Sequence, residues 1–302
     1  MTLLDVVCKG KVRKNKNKYE IPPVIDYANS HNLNQISWDH VKADKCFQRE
    51  YDLGVVASFG DFIPGALVST LKCGAINFHP SLLPRWRGAA PVIHTVLNGD
   101  LITGVSVIEV SKKKFDAGKI LYQTQCTIPP ECTGDNLLAD LSLKSGELVP
   151  FVLRHLDALR KTSYSQNEEL TTHAPKVDVS WRNINFQNHT ASYVRRLQRA
   201  LPSSMGIWAS WYGARVKLGP ILDLQETVGD SELPIGGCWY EKRTRLLWIQ
   251  LREGCIAVKS LRFECKRDMT AKHFHSSMMK DSCPSVFFKT ISPTGENQCN
   301  TM

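Results

Sequence analysis

The chain has 302 residues and a formal net charge of +9, with 42% hydrophobic and 22% charged side chains. This composition excludes disordered, collagen-like and low-complexity proteins, and the length allows two domains. No run reaches the roughly 18 apolar residues of a membrane helix, no signal-peptide layout opens the chain, and the ten cysteines form no CxxC pair or Cys/His metal spacing. We therefore expect a soluble intracellular protein without a metal, a disulfide framework or a membrane contact.

The positive charge is concentrated at the two ends of the chain. Residues 1–20 carry +4, residues 21–175 carry −2, and residues 176–302 carry +7. The N-terminal excess lies in the run KGKVRKNKNK from Lys9 to Lys18. This distribution is typical of proteins that bind a polyanion such as nucleic acid, although solvated loops show it as well.

The first half of the chain predicts alternating helices and strands. A helix over IPPVIDYANSHNL is followed by a buried strand in 51–60, a helix over PGALVSTLKCG and a short strand in 74–79. A strand, helix and strand within about thirty residues predict a βαβ unit and a parallel sheet covered on both faces. GAAPVIHTVLNGD then predicts a helix, TGVSVIEVS and ILYQTQCTI predict strands, and a last helix covers about 133–159. The fold class is therefore α/β, with a Rossmann-like parallel sheet.

The second half of the chain has a different pattern. TASYVRRLQRAL predicts an amphipathic helix, with Val194 and Leu197 on its apolar face and Arg195 and Arg199 on its polar face. Several short aromatic and β-branched strands follow, which predict a small OB-like β-barrel. The expected organisation is an α/β domain in 1–160, a polar linker in 161–175, a β-barrel domain in 176–285 and a tail in 286–302.

Three side chains are candidates for chemistry. Asn77 and His79 lie two residues apart on one predicted strand, so both point to the same face at the carboxyl end of the strand, where open α/β sheets bind ligands. An amide and an imidazole there can stabilise a developing oxyanion and move a proton, which acyl transfer requires. Asp116 lies in a loop between two later strands, where it is either a turn residue or the carboxylate that orients the imidazole.

The segment after His79 is a proline-stiffened loop, PSLLPRWRGAAP, which carries two arginines around a tryptophan. Together with INFH before it and TGVSVIEV and FDAGKIL after it, this loop resembles the folate-dependent formyltransferases. By that resemblance Asn77, His79 and Asp116 form the catalytic trio. The four residues that would line the folate site are Ser81, Leu82, Leu83 and Pro84.

The resemblance is to the branch of the family that uses 10-formyltetrahydrofolate to formylate the α-amino group of initiator methionyl-tRNA. It implies a monomer that needs no metal, and the SKKKFDAG loop resembles the members found in the mitochondrial matrix of animals. The RNA contacts that it implies lie in the N-terminal basic run and in the arginine helix. They are Lys11, Arg13, Lys14, Lys16, Lys18, Arg195 and Arg199.

The chain departs from the family at its N-terminus, because the expected first strand, glycine turn and helix are not in the sequence. We therefore expect an N-terminally truncated form that lacks one strand of the sheet. Two alternatives stay open at this point: a catalytically inactive RNA-binding remnant, and a formyltransferase that acts on a different amine.

Overall fold

A computed structural model describes residues 4–9, 12–15, 18–43, 51–222, 233–279 and 288–291. Of residues 12–15 and 18–20, only the backbone is described. Lys11 and Lys16, two of the predicted RNA contacts, lie outside the described residues, as does most of the predicted tail.

The strands and helices alternate in the first half of the chain, and strands dominate the second half. The strands are β1 Asp5–Cys8, β2 Val12–Asn15, β3 Lys18–Glu20, β4 Asn34–Ser37, β5 Gly54–Ala57, β6 Ala75–His79, β7 Ile102–Glu109, β8 Ile120–Thr127, β9 Ile207–Trp211, β10 Ala214–Leu218, β11 Ile221–Leu222, β12 Cys238–Glu241, β13 Leu246–Gln250, β14 Cys255–Val258, β15 Ser260–Phe263, β16 Met269–Thr270 and β17 Phe288–Lys289. The α-helices are α1 Pro23–Ser30, α2 Trp38–Ala43, α3 Gly65–Val68, α4 Pro91–Asn98, α5 Gly134–Lys161, α6 Ala191–Ala200 and α7 Ala271–Phe274. None of the helices in the described ranges is long and apolar enough to cross a membrane.

The chain packs as two compact units, and each is built from separate stretches of sequence. The first unit draws on 1–89, 104–125 and 143–173, and the second draws on 90–103, 126–142 and 174–302. The predicted continuous boundaries at 160 and 176 therefore differ from the units that the contacts define.

The first unit contains a four-stranded sheet in the order β5-β6-β7-β8. β5 and β6 are parallel, as the βαβ pattern predicts, and β1 pairs in parallel with β4 in a separate two-stranded sheet. β7 runs antiparallel to β6, with His79 opposite Ser106. The sheet is therefore mixed, whereas a parallel one was predicted. β7 begins beyond the carboxyl end of β6 and runs back along it, so the end of β6 lies against the middle of β7.

The helix predicted over PGALVSTLKCG is shorter in the structure, where α3 covers only Gly65–Val68. The hydroxyls of the next two residues explain this end, because Ser69 Oγ donates to the Gly65 carbonyl at 2.9 Å and Thr70 Oγ1 donates to the Leu67 carbonyl at 2.7 Å. Side chains that bond to helix carbonyls in this way compete with continuation of the helix. The chain then turns at Gly74, with φ +63°, into β6.

The second unit confirms the predicted antiparallel β domain, but its strands do not form one closed barrel in the described residues. They form a five-stranded sheet in the order β16-β15-β10-β9-β17 and a four-stranded sheet in the order β11-β14-β13-β12. Large buried rings pack against the five-stranded sheet: the rings of Trp211 and Phe274 meet edge to face, with their centres 4.7 Å apart. The four-stranded sheet has its own core around Trp248, whose ring stacks on Trp239.

The arginine helix α6 is capped by Thr190, whose hydroxyl accepts a hydrogen bond from the Tyr193 N–H at 3.1 Å. A side-chain cap of this kind contributes about 1 kcal/mol to helix stability. Val194 and Leu197 are fully buried, as the apolar face predicts. α6 packs against α4, and Arg196 Nε donates to the Leu97 carbonyl at the end of α4 at 2.8 Å.

Candidate active site

Asn77, His79 and Asp116 meet at the carboxyl end of β6. Asn77 Nδ2 donates to Asp116 Oδ1 at 3.3 Å, and His79 Nδ1 lies 3.6 Å from the same oxygen. The other carboxylate oxygen, Asp116 Oδ2, accepts the Gly88 N–H at 3.0 Å. The side chains of His79 and Asp116 are only 5% and 13% exposed, so the imidazole and the carboxylate face each other with little intervening solvent. The structure therefore brings together the three residues that the sequence analysis selected for catalysis.

The hydrogen bonds of His79 assign its tautomer. Its Nε2 lies 2.9 Å from the backbone carbonyl of Trp86, and a carbonyl only accepts hydrogen bonds. Nε2 therefore carries the proton, and in the neutral ring Nδ1 is the basic nitrogen. That nitrogen faces Asp116, so a proton taken up at Nδ1 forms an imidazolium beside a carboxylate.

This arrangement fits the attack of an amine on an acyl carbon. The Asn77 amide carries two N–H donors, and only one is needed for Asp116, so the second can stabilise an oxyanion. His79 Nδ1 can accept the proton that the amine loses, while Asp116 stabilises the charged ring. A reaction of this kind requires no covalent intermediate on the protein, because the attacking amine is itself the nucleophile.

A second group of side chains holds Asp116 in place, and the sequence analysis did not identify it. Gln166 Nε2 donates to the backbone carbonyls of Asp116 at 2.7 Å and Gly118 at 2.8 Å, and Gln166 Oε1 accepts from Arg87 Nε at 2.9 Å. The remaining nitrogens of Arg87 bind both carboxylate oxygens of Glu168, at 3.2 and 3.0 Å. Arg87 lowers the pKa of Glu168 from its usual value, chiefly through these hydrogen bonds. The backbone of Asp116 has φ +49°, a conformation rare for non-glycine residues, and the Gln166 hydrogen bond helps to fix it.

Gln166 and Glu168 lie in the polar segment 161–175, which was predicted to be a linker. That segment also supplies Thr172, whose hydroxyl accepts the Trp86 N–H at 2.9 Å and whose carbonyl accepts the Arg87 N–H at 2.9 Å. The polar segment therefore supports the loop that follows β6. This role could not be predicted from apolar periodicity, because the contacts are hydrogen bonds between residues about eighty positions apart.

The predicted folate-lining residues form a tightly bonded loop. The Ser81 hydroxyl donates to the Arg85 carbonyl at 2.7 Å, and the Leu83 side chain is buried against Ile108 and Ile120. The loop is tied to the sheet through Ser106 Oγ, which donates to the Ser81 carbonyl at 2.6 Å and accepts the Leu83 N–H at 3.0 Å.

Gln123 holds the same loop from β8. Its Nε2 donates to the Leu83 carbonyl at 3.0 Å and to Ser106 Oγ at 2.7 Å. Leu82 and Pro84 are partly exposed, whereas Ser81 and Leu83 are buried. The side chains of the loop that a ligand can reach directly are therefore those of Leu82 and Pro84.

The predicted RNA contacts are spread over the chain. Arg13, Lys14 and Lys18 lie in the β2–β3 hairpin, of which the backbone is described. In the arginine helix, Arg195 Nη2 donates to the Cys255 carbonyl at 3.1 Å, and Arg199 forms an ion pair with Glu131 at 2.7 Å. Both guanidinium groups thus have partners within the second unit.

The first unit presents an amide, an imidazole and a carboxylate at one strand end, an arrangement that suits acyl transfer, and the chain has a second, antiparallel unit. Comparison with known proteins agrees. The family profile described as "Formyl transferase" matches residues 6–153, and the profile "Formyl transferase, C-terminal domain" matches residues 176–278. The chain belongs to the formyltransferase family.

Individual relatives carry more specific names. The chain is 34% identical to human "Methionyl-tRNA formyltransferase, mitochondrial" over 264 residues, which cover 85% of this chain and 66% of that protein. It is 30% identical to the methionyl-tRNA formyltransferase of Enterococcus faecalis, over 78% of this chain and 74% of that protein. The chain thus spans just under two thirds of the length of the human mitochondrial relative.

Among solved structures, HypX from Aquifex aeolicus in complex with tetrahydrofolic acid aligns with a TM-score of 0.56 and 15% identity. The alignment covers 91% of this chain and 47% of HypX. At this level of identity the likeness concerns the fold.

Proposed function

We propose that this chain transfers the formyl group of 10-formyltetrahydrofolate to the α-amino group of methionyl-tRNA, giving formylmethionyl-tRNA for translation initiation. The observation that carries the proposal is the convergence of Asn77, His79 and Asp116 at the end of β6 in a member of the formyltransferase family. Relatives named methionyl-tRNA formyltransferase support the acceptor, and the folate-bound HypX structure supports the donor.

In the proposed reaction the neutral amine attacks the formyl carbon, and its nitrogen forms a bond to that carbon. Asn77 donates to the oxyanion that develops, and His79 Nδ1 takes the proton that the amine loses. The bond from the formyl carbon to the folate nitrogen then breaks, and that nitrogen receives the proton. Asp116 stabilises the imidazolium between the two proton transfers, because its Oδ1 faces Nδ1 at 3.6 Å.

The folate co-substrate is assigned to the loop of Ser81, Leu82, Leu83 and Pro84. Its bonds to Ser106 and Gln123 make the loop rigid before a ligand arrives, which lowers the entropy lost on binding. We propose that catalysis belongs to 1–160 and RNA binding to the β domain in 176–285. The segment 161–175 connects these ranges along the chain and also supports the loop after β6. We further propose a monomer in the mitochondrial matrix, in line with the mitochondrial relatives.

The acceptor is tested by offering the purified chain a constant amount of 10-formyltetrahydrofolate with one amine at a time. The panel contains methionyl-tRNA, glycinamide ribonucleotide and an amino sugar nucleotide. We expect formylation of methionyl-tRNA alone. Formylation of one of the other amines would assign a different substrate, and tight tRNA binding without formylation of any amine would identify an RNA-binding protein without activity.

For RNA contacts, the described residues of the second unit offer a further group beside Arg195 and Arg199. Arg215 and Lys217 lie two residues apart on β10, and Lys217 is directly opposite both Trp208 and Arg262 on the neighbouring strands. Residues opposite each other in an antiparallel pair share a face of the sheet. The Arg182 guanidinium also lies over Trp208, at 5.0 Å from the ring centre.

We call Arg182, Arg215, Lys217 and Arg262 with Trp208 the basic sheet face. Two acids lie among these cations: Glu264 is 3.2 Å from Arg215 Nη1, and Asp268 is 3.7 Å from Arg262 Nε. Burial and the nearby Arg215 lower the pKa of Arg182. A phosphate group on this face would relieve that repulsion between like charges, so the face suits the RNA backbone.

The double substitution Arg215→Gln with Lys217→Gln is expected to weaken tRNA binding at low salt. Loss of two phosphate contacts reduces the slope of log Kd against log salt by about 1.5. The matched control, Lys242→Gln with Arg243→Gln, removes the same charge from the turn between β12 and β13. Equal salt slopes for the two double variants would remove the basic sheet face from the RNA site.

A substitution at Gln166 tests whether the hydrogen bonds that hold the Asp116 loop are needed for catalysis. Gln166→Leu leaves two carbonyls and one arginine N–H without their partner, so we expect kcat to fall about tenfold or more, while the KM for folate stays within about twofold. Gln187→Leu, at an exposed position, is the control. Unfolding curves measured beside the kinetics separate positioning from stability: a lower stability with unchanged kcat would show that Gln166 serves the fold alone.

A further inference from the structure

Beside Asp116 the first unit exposes two aromatic rings. Phe115, the residue before Asp116, is 56% exposed, and Phe62, which follows β5, is 40% exposed. Their ring centres lie 5.1 Å apart and the planes cross at 71°, an edge-to-face contact. A pair of large apolar side chains at a protein surface marks an interaction site more often than a single exposed one does.

The same loop carries positive charge. Lys112, Lys113 and Lys114 are all exposed and directly precede Phe115. Ser111 orders the start of the loop, because its hydroxyl accepts the N–H groups of Lys113 and Lys114, both at 3.3 Å. Lys114 helps to lower the pKa of Glu168, a carboxylate that Arg87 already binds. The loop therefore presents a net positive charge.

The loop also has a fixed position. Gly65, at the start of α3, packs so closely on it that a Cβ there would lie 2.7 Å from the Lys112 Cβ. At the other end, Asp116 is held by Gly88 and Gln166. The aromatic pair and the three lysines thus stand at a defined place beside the catalytic carboxylate.

The proposed acceptor has its reactive amine on an amino acid esterified to the 3′-terminal ribose of the RNA. When that amine lies at His79, the terminal nucleotide is only a few bonds away. Exposed aromatic rings bind unpaired bases by stacking, and lysines bind the adjoining phosphates. An aromatic pair and a lysine run adjacent to Asp116 match those two requirements.

We propose that Lys112–Phe115 and Phe62 together bind the 3′-terminal nucleotide of the acceptor RNA, with the base stacked on the two rings and the phosphates contacted by the three lysines. This inference rests on the proposed function, since it assigns the part of the same substrate that enters the active site. It differs from the basic sheet face, which would contact the RNA backbone regardless of its 3′ end.

The test combines a change in the protein with a change in the RNA. The double variant Phe62→Leu with Phe115→Leu keeps apolar side chains but removes the rings. Its affinity, and that of the wild type, is measured for intact tRNA and for tRNA that lacks its 3′-terminal nucleotide. We expect the wild type to lose about tenfold in affinity when the nucleotide is removed. The double variant, which keeps the lysines but not the rings, should bind intact tRNA more weakly than the wild type and lose clearly less affinity than the wild type does when the nucleotide is removed.

The lysines are tested in parallel. The triple change of Lys112, Lys113 and Lys114 to Gln should weaken binding and flatten its salt dependence, by a slope of about 0.7 per lost contact with single-stranded RNA. The control replaces three lysines elsewhere in the first unit, Lys42, Lys144 and Lys161. Equal salt slopes for the two triple variants would exclude the lysines from the RNA site.

Other results overturn the inference in distinguishable ways. An equal loss of affinity by wild type and double variant on removal of the nucleotide would show that the rings do not contact it. If the double variant had a higher KM for 10-formyltetrahydrofolate than the wild type but the same affinity for tRNA, the two rings would contact the folate and not the RNA. No tRNA binding by the wild type would overturn the proposed function and this inference with it.

Discussion

His79→Ala is expected to lower kcat by about a thousandfold or more, because it removes both the proton acceptor and a polar group beside the developing oxyanion. The affinity for tRNA should stay within about twofold of the wild type, since the imidazole is buried, is hydrogen-bonded to the Trp86 carbonyl and faces Asp116 at 3.6 Å. Rapid-quench formylation assays and equilibrium tRNA binding measure the two quantities separately.

His79→Gln is the informative companion of that variant. The glutamine amide can replace the hydrogen bond from Nε2 to the Trp86 carbonyl, but it cannot take up a proton at neutral pH. We expect it to fold like the wild type and to be as inactive as His79→Ala. Activity near that of the wild type in the glutamine variant would mean that His79 positions the loop and transfers no proton.

Gly118→Ala is expected to lower the free energy of unfolding by about 3 kcal/mol, a severe effect for the addition of one methyl group. A Cβ at Gly118 would lie 1.7 Å from the Glu109 carbonyl oxygen. This oxygen belongs to the backbone of β7, so it can move only if the strand moves with it. The two segments would have to separate, which breaks the hydrogen bond from the Glu109 N–H to the Lys119 carbonyl and shifts the carbonyl that Gln166 binds.

Gly146→Ala is the matched control for that prediction. Gly146 lies within α5 and has no atom within 4 Å of an added Cβ, so alanine there should stabilise the helix by up to about 1 kcal/mol. Denaturant unfolding of the two variants measures the difference directly. If Gly118→Ala proved as stable as Gly146→Ala, the close approach of the two backbones would not constrain the Asp116 loop.

The candidate site could be predicted from sequence where its chemistry lies on a short regular element. Asn77 and His79 are two apart on a strand, and this spacing alone places both side chains on one face. The strand bounds were also predictable, because Gly74 and Pro80 bracket β6. For Asp116 the sequence left two roles open, a turn residue or the carboxylate beside the imidazole. Its contact with Asn77 depends on the order of the strands in the sheet, which hydrophobic periodicity does not show.

The supporting residues were not predictable in the same way. Gln166 and Glu168 lie in a segment with no periodic pattern, and their partner Arg87 is about eighty residues away. The arginine helix shows a related difficulty. Helical spacing places Arg195 and Arg199 opposite the buried face, yet long arginine side chains extend back over the protein, and both find partners there.

The second unit shows what strand patterns leave undetermined. Short strands with aromatic residues predict antiparallel pairing, and the structure confirms it. Whether such strands close into one barrel or form two sheets depends on which strands become edges, and that is decided by long-range pairing such as β17 with β9. Local sequence carries little information about pairs so far apart.

The most direct test of the account is the formation of formylmethionyl-tRNA by the purified chain. The chain is mixed with 10-formyltetrahydrofolate and methionyl-tRNA, and mass spectrometry of the released amino acid locates the formyl group. We expect the formyl group on the α-amino nitrogen, at a rate that depends on the concentration of 10-formyltetrahydrofolate, and we expect no measurable transfer by His79→Ala. Transfer at the same rate by His79→Ala, or no transfer by a wild-type chain that binds both substrates, would contradict it.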